Sequence, residues 1–158
     1  MKTADLSDAN PSVSLCMEVF RNYGLRKEFS GPIATVKVFD DNILVKEAIE
    51  TIAPGTVLVV DGQASRRCAL VGGNLAERAS ERGLAGIIVY GSVRDVAELN
   101  AKDLGILALG SCPVRSRKEG NGAAGEELDF GGVKWIPGHY VYVDEDGVLL
   151  SEVPLIES

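Results

Sequence analysis

Histidine occurs once in this sequence, at position 139, and tryptophan once, at position 135. One histidine rules out a His-rich metal cluster, and any Cys–His nucleophile pair would have to use His139 as its base. The three cysteines, Cys16, Cys68 and Cys112, make no C-x-x-C spacing and no even framework, so neither a zinc knuckle nor a disulfide scaffold is expected. They read as reduced, mostly buried thiols of a cytosolic chain. Positive charge is scarce as well. A formal net charge of −7 leaves no broad face for neutralising phosphates, and direct binding of RNA or DNA is not expected. The densest basic stretch, Arg115, Arg117 and Lys118, is too short for a polyanion site and reads as a solvated loop. No apolar run approaches the ~20 residues that cross a bilayer, and the first five residues contain no signal-peptide core. The expected compartment is the cytoplasm, with no membrane partner.

What the chain does have is glycine, 18 residues of it in 158, set among short aliphatic runs. That combination points to many turns and close backbone approaches within one domain spanning residues 1–158. Thr3 can cap a short helix that Pro11 ends. Val13–Phe20 alternates loosely, as a strand does, and Asn22–Ser30 is polar and loop-like. Ile33–Phe39 is rich in β-branched residues and predicts a strand. Asp40, Asp41 and Asn42 offer caps for a helix over Ile43–Thr51, with Ile43, Leu44, Ala48 and Ile52 on its buried side. Val57–Val60 and Gly86–Gly91 are continuous apolar runs, the pattern of strands buried on both faces. Between them Cys68–Val71 leads into Gly72-Gly73, and Asn74 caps a helix that Gly83 stops. A short helix over Val96–Leu99 and a strand over Gly105–Leu109 follow. Ser116–Glu127 is polar and Gly-rich, a mobile loop. Three short strands close the chain, at Val133–Ile136, Tyr140–Val143 and Val148–Ser151, the last two joined through the acidic turn Asp144–Gly147. The class is α/β, β-rich layers with two or three helices packed on them.

Most of the chemical information lies in two strand-to-turn junctions, Val71-Gly72-Gly73-Asn74-Leu75 and Val89-Tyr90-Gly91-Ser92-Val93-Arg94-Asp95. If the two strands are neighbours, both junctions open at one sheet edge, where α/β sheets hold ligands. The turn at Gly72 and Gly73 would present backbone N–H groups at a helix N-terminus, suited to a carboxylate or phosphate. Arg94 could clamp a substrate carboxylate or stabilise an enolate oxygen. Asp95 could hold a divalent cation, since Mg²⁺ takes few protein carboxylates and keeps several waters. An ordinary capped turn followed by a surface Arg–Asp pair would look the same at this level.

Over nearly its whole length the chain resembles the RraA-like family, the regulators of ribonuclease activity A and the related 4-hydroxy-4-methyl-2-oxoglutarate aldolases. The resemblance rests on six blocks in order: Phe29-Ser30-Gly31-Pro32 with Thr35–Asn42, Val57–Gly62, Ala69–Leu75, Val89–Asp95, Phe130–Val133, and Pro137-Gly138 through Glu152. It implies a swivelling β/β/α-type domain, assembly as ring-shaped homotrimers, and a ligand site between subunits. It implies a lyase that splits 4-hydroxy-4-methyl-2-oxoglutarate to pyruvate and decarboxylates oxaloacetate with Mg²⁺ or Mn²⁺. By position, Gly72, Gly73, Asn74 and Leu75 match the substrate-binding turn, Arg94 the substrate-binding arginine and Asp95 the metal-binding aspartate. Other members inhibit the endoribonuclease RNase E by protein–protein contact, without catalysis. One position departs from the enzyme pattern, which carries an aspartate where this chain has Gly73. Among the remaining residues, Glu98 lies one helical turn after Asp95, within reach as a supporting partner. Trp135 is read as packing, His139 as an exposed turn residue, and Asp144-Glu145-Asp146 as a hairpin turn.

Overall fold

Four runs of aliphatic residues lie side by side in parallel and form the centre of the molecule. In a computed structural model that describes residues 1–156, the elements run α1 (Thr3–Ala9), β1 (Ser14–Leu15), β2 (Arg21–Asn22), β3 (Phe29–Lys37), α2 (Ile43–Thr51), β4 (Val57–Asp61), β5 (Ala69–Val71) and α3 (Gly73–Glu81). They continue with β6 (Gly86–Val93), α4 (Val96–Leu99), β7 (Gly105–Ser111), β8 (Ala123–Ala124), β9 (Leu128–Phe130), β10 (Val133–Trp135), β11 (Tyr140–Asp144) and β12 (Gly147–Ser151). Strands β3, β4, β6 and β7 pair in parallel, with Val36 opposite Val60, Val60 opposite Val89 and Val89 opposite Ala108. Antiparallel β11, β12 and β1 extend the sheet from β3, and β2 closes the other edge.

Strands β4, β6 and most of β7 are buried on both faces, as their continuous apolar sequences require, while β3 keeps Pro32 and Lys37 exposed. Leu58, Val60, Ile87 and Val89 pack on α2 and α3 through Val45, Ile49, Ala76 and Ala79. Val57, Val59 and Ile88 face a second core with Val141, Val143, Phe130 and Trp135. The result is three layers: helices, the parallel sheet, and a β layer that includes the β9–β10 hairpin. Trp135 is fully buried and donates its indole N–H to the Phe130 carbonyl at 3.2 Å. It stacks on Phe130, which stacks in turn on Tyr90, so packing is its role. The Phe29 ring lies directly on the bare Cα atoms of Gly86 and Gly105, which is why two neighbouring strands both begin with glycine. No helix among the described residues is long and apolar enough to cross a membrane.

Several expectations need correction. Only Ser14–Leu15 of the Val13–Phe20 stretch is a strand; it pairs with β12 at these two residues, and Met17 and Val19 beyond it stay exposed. The loop expected over Asn22–Ser30 is bounded by strand pairing, because Arg21 and Asn22 bond to β7 and β3 begins at Phe29. In α2 the deepest residues are Val45 and Ile49, while Ile43, Leu44 and Ile52 are only half-buried. Thr3 is the first residue of α1 and tethers it through its N–H and hydroxyl to Asp144. The stretch expected to be a mobile loop is a pinned arm. One carboxylate oxygen of the buried Asp41 accepts the backbone N–H groups of Glu119, Gly120 and Asn121 at 2.9, 3.0 and 3.3 Å. Further along, Ala123–Ala124 pairs with β3. Burial alone would raise the Asp41 carboxyl; the N–H groups of Ile43, Glu119, Asn121 and Gly120 outweigh it and hold it below its ordinary value.

Candidate functional site

The parallel strands β5 and β6 end together, Val71 opposite Val93, and the Arg94 N–H donates to the Val71 carbonyl at 3.0 Å. Their following residues therefore emerge side by side at the carboxyl edge of the sheet, as the sequence predicted. Gly72 is the N-cap of α3, in extended backbone, and not Asn74, which lies inside the first turn. The Gly73 N–H donates to Asp95 Oδ2 at 2.8 Å. Asn74 and Leu75 donate their N–H groups to no protein acceptor among the described residues, and these are the free donors of the helix end.

Asp95 holds left-handed backbone, φ 61° and ψ 46°, one of the few side chains that tolerates it. Its position between β6 and α4 swings the carboxylate back over the turn. A Cβ at Gly72 would stand 2.8 Å from Asp95 Oδ2 and 3.2 Å from Arg94 Cγ, so glycine there lets both side chains lie against the backbone. Gly73 is covered differently: a Cβ at that position would overlap Glu98 Oε2 and stand 3.4 Å from Asp95 Oδ2. Two carboxylates thus converge over Gly73, one from the β6 end and one from α4.

This geometry bears on the departure at position 73. Gly73→Asp would add a carboxylate to space that Glu98 already fills. An aspartate in the first turn of a helix is favoured by the helix dipole, but the overlap requires Glu98 to swing out. Glu98 is exposed and the overlapping oxygen is the end of a flexible side chain, so Gly73→Asp is expected to stay within about 1 kcal/mol of the wild type in stability, and its turnover rises if the missing carboxylate limits catalysis. Thermal melts and turnover of Gly73→Asp check this; a variant that folds and binds metal yet is no more active than the wild type would show that the missing carboxylate is not limiting.

The surrounding cleft, about 350 Å³, is lined by Gly72–Leu75, Arg94 and Asp95 and by residues the sequence did not bring here: Asn42, Lys46, Glu50, Arg78, Arg115 and Lys118. Five of the lining side chains are cationic and two are anionic, in a chain that is acidic overall. Arg78 is taken up by Glu50 and Glu81. Lys46, Arg94, Arg115 and Lys118 form no ion pair among the described residues. Arg115 and Lys118, read from sequence as solvated charge, are therefore walls of the cleft. The signal that could have found them is absent from their own segment; it lies in Asp40 and Asn42, whose backbones bond to Arg117 across the arm.

The other candidates fall outside. His139 is half-buried in the turn after Pro137 and lines a separate groove with Leu150 and Ser151. The three cysteines are free. Burial, then the hydrogen bond to Asp40 and its charge, push the Cys68 thiol up to about 11, the opposite of what a nucleophilic thiolate needs.

Comparison with known proteins agrees with this architecture. A family model described as "RraA-like: Aldolase/RraA" matches residues 3–150. The chain belongs to the RraA-like family. A Bacillus cereus protein named "Putative 4-hydroxy-4-methyl-2-oxoglutarate aldolase" is 57% identical over 155 residues, 98% of each chain. Among solved structures, the RNA-processing inhibitor RraA from "Thermus thermophilis" is 45% identical with a TM-score of 0.96, covering 99% of this chain and 95% of that one. A Geobacillus kaustophilus structure named as an S-adenosylmethionine: 2-dimethylmenaquinone methyltransferase is 56% identical with a TM-score of 0.97, covering 98% and 97%. The RraA-like fold is thus shared by relatives whose names give three different functions, and the site must decide among them.

Proposed function

We propose that this RraA-like protein is a divalent-metal-dependent carbon–carbon lyase for small 2-oxo acids, of the 4-hydroxy-4-methyl-2-oxoglutarate aldolase and oxaloacetate decarboxylase type. The observation that carries the reading is the meeting of Arg94, Asp95 and the free N–H groups of the Gly72–Leu75 turn in one cationic cleft. Mg²⁺ or Mn²⁺ fits the donor set. Asp95 spends one oxygen on the Gly73 N–H and keeps the other, and the Glu98 carboxylate lies beside it, the hard oxygen donors these ions prefer. When bound, such a cation supplies Lewis acidity toward the 2-oxo group.

The chain's own residues account for the rest. The turn N–H groups and Arg94 orient the carboxylate of the 2-oxo acid. Arg94 then donates to the oxygen on which negative charge collects as the C–C bond breaks. Lys46 and Lys118 are exposed and take no covalent role; water carries the protons. A methyltransferase role is less compatible with the cleft, because its cationic wall repels a sulfonium cofactor. Inhibition of RNase E by protein–protein contact draws no support from the cleft. The same reading carries the expectation of a cyclic homotrimer, whose mass light scattering would give.

The test is pyruvate release from 4-hydroxy-4-methyl-2-oxoglutarate and from oxaloacetate. Activity is expected with Mg²⁺ or Mn²⁺, is lost in excess chelator, and is not trapped by borohydride. Turnover that persists in chelator, or is quenched by borohydride with substrate, means a Schiff base and removes Asp95 from its role.

A further inference from the structure

We propose that Asp41 is a positioning residue for ligand binding: it touches no ligand, and its buried carboxylate holds in place the arm whose Arg115 and Lys118 form one wall of the cleft. The inference rests on the reading of the cleft as a 2-oxo acid site.

Asp40, Asp41 and Asn42 stand in the sequence as helix caps, but α2 uses little of them. The Asn42 side chain, at the N-cap, makes no capping bond, and Asp41 Oδ1 accepts the Ile43 N–H at 3.1 Å. All three residues also bond to the arm. The Asp40 carbonyl accepts the Arg117 N–H, and the Asn42 N–H donates to the Arg117 carbonyl. Asn42 Oδ1 accepts the Lys118 ammonium at 3.1 Å. Asp41 Oδ2 accepts the successive N–H groups of Glu119, Gly120 and Asn121. Successive N–H groups turned toward one point make a concave anion site. Gly120, at φ 88°, supplies the left-handed residue such a curve needs. The arm therefore carries an anion nest, and the anion in it is the protein's own carboxylate.

Little else holds the arm down. Between residues 113 and 122 only Ser116 is buried, so apolar burial contributes almost nothing there, and polar bonds decide whether the segment stays docked. Bonds to an ionised acceptor are about twice as strong as neutral ones, which puts the Asp41 contacts first among them. Asp41 is 1% exposed and does not line the cleft. Any effect it has on a ligand passes through the arm.

Limited digestion with trypsin reads the state of the arm without a ligand, because Arg115, Arg117 and Lys118 are cleavage sites. Asparagine in place of Asp41 keeps one acceptor oxygen but loses the charge. Asp41→Asn is expected to be cut at these three sites about tenfold faster than the wild type or more, the size of one charge-assisted bond, with cutting after Arg78 and Lys134 unchanged. Gly120→Ala disturbs the nest from the arm's side and gives the same pattern. Titration calorimetry in the presence of Mg²⁺ then shows pyruvate bound about tenfold more weakly by both variants, while Mn²⁺ affinity stays within about twofold. A loss of stability alone would move neither affinity in protein that remains folded. Unchanged digestion of the arm in both variants, or faster digestion with unchanged pyruvate affinity, overturns the assignment and leaves the lyase reading in place. If Asp41→Asn is also cut faster after Arg78 and Lys134, it has unfolded generally and Gly120→Ala decides. A wild type that binds no pyruvate removes the 2-oxo acid reading, and this one with it.

Discussion

Asp95→Asn is expected to reduce metal-activated turnover by at least ~10² and to abolish tight Mn²⁺ binding, with little loss of stability. Removing even an outer partner of a metal ligand costs about 10–100-fold in affinity or activity, and Asp95 would be a direct ligand. Asparagine is the better control than alanine for a backbone reason. At φ 61° asparagine is comfortable, and its amide oxygen still accepts the Gly73 N–H. Alanine in left-handed backbone costs roughly 1–2 kcal/mol and leaves that N–H without an acceptor. Asp95→Ala should therefore lose both activity and stability, Asp95→Asn activity alone. Mn²⁺ titration followed by electron paramagnetic resonance, alongside thermal melts, separates the two effects. Unchanged metal affinity in Asp95→Asn would leave Asp95 a helix-capping residue and nothing more.

Arg94→Ala is the complementary case: metal affinity within about twofold of wild type and kcat lower by ~10²–10³, equivalent to about 3–4 kcal/mol of lost charge stabilisation. Arg94→Lys should recover little, since an ammonium cannot reproduce the guanidinium fork. The stem of Arg94 also lies over Gly72, so truncation leaves a gap at the turn. A KM effect of similar size to the kcat effect would then point to positioning of the turn rather than to charge. A decrease in kcat of less than about fivefold would remove Arg94 from the chemistry.

The core of the site was legible because it is local. Gly72, Gly73, Arg94 and Asp95 follow two strands whose sequences, Ala69–Val71 and Gly86–Val93, announce burial, and parallel neighbours necessarily release their chains at one edge. The α2 helix and the hairpin at Asp144–Gly147 were legible for the same reason. What sequence did not disclose depends on partners far along the chain. The arm that carries Arg115 and Lys118 has no periodicity, because backbone bonds to Asp40, Asn42 and Ala69 and the Asp41 carboxylate some 80 residues earlier order it rather than a buried face of its own. Alternation at Val13–Phe20 promised a strand, but the chain pairs with β12 only at Ser14 and Leu15, and from Met17 its backbone bonds instead to the Gly131 carbonyl beside the β9–β10 hairpin. Glu98 was recognisable as a neighbour of Asp95, yet only the fold shows that it occupies the volume a larger residue at position 73 would need.

The way Asp41 grips the arm has an evolutionary consequence. Its contacts are to backbone N–H groups, which every residue except proline provides, so the side chains of Glu119 and Asn121 can drift without detaching the segment, while Gly120, at φ 88°, is held to glycine by its backbone. Residue 118 is in the same position: its backbone is fixed by its neighbours, and its side chain is exposed. Mutation there alters the lining of the cleft with little penalty to folding. The side chains that face the cleft from the arm, at positions 115 and 118, are thus separable from the backbone contacts that hold the arm in place.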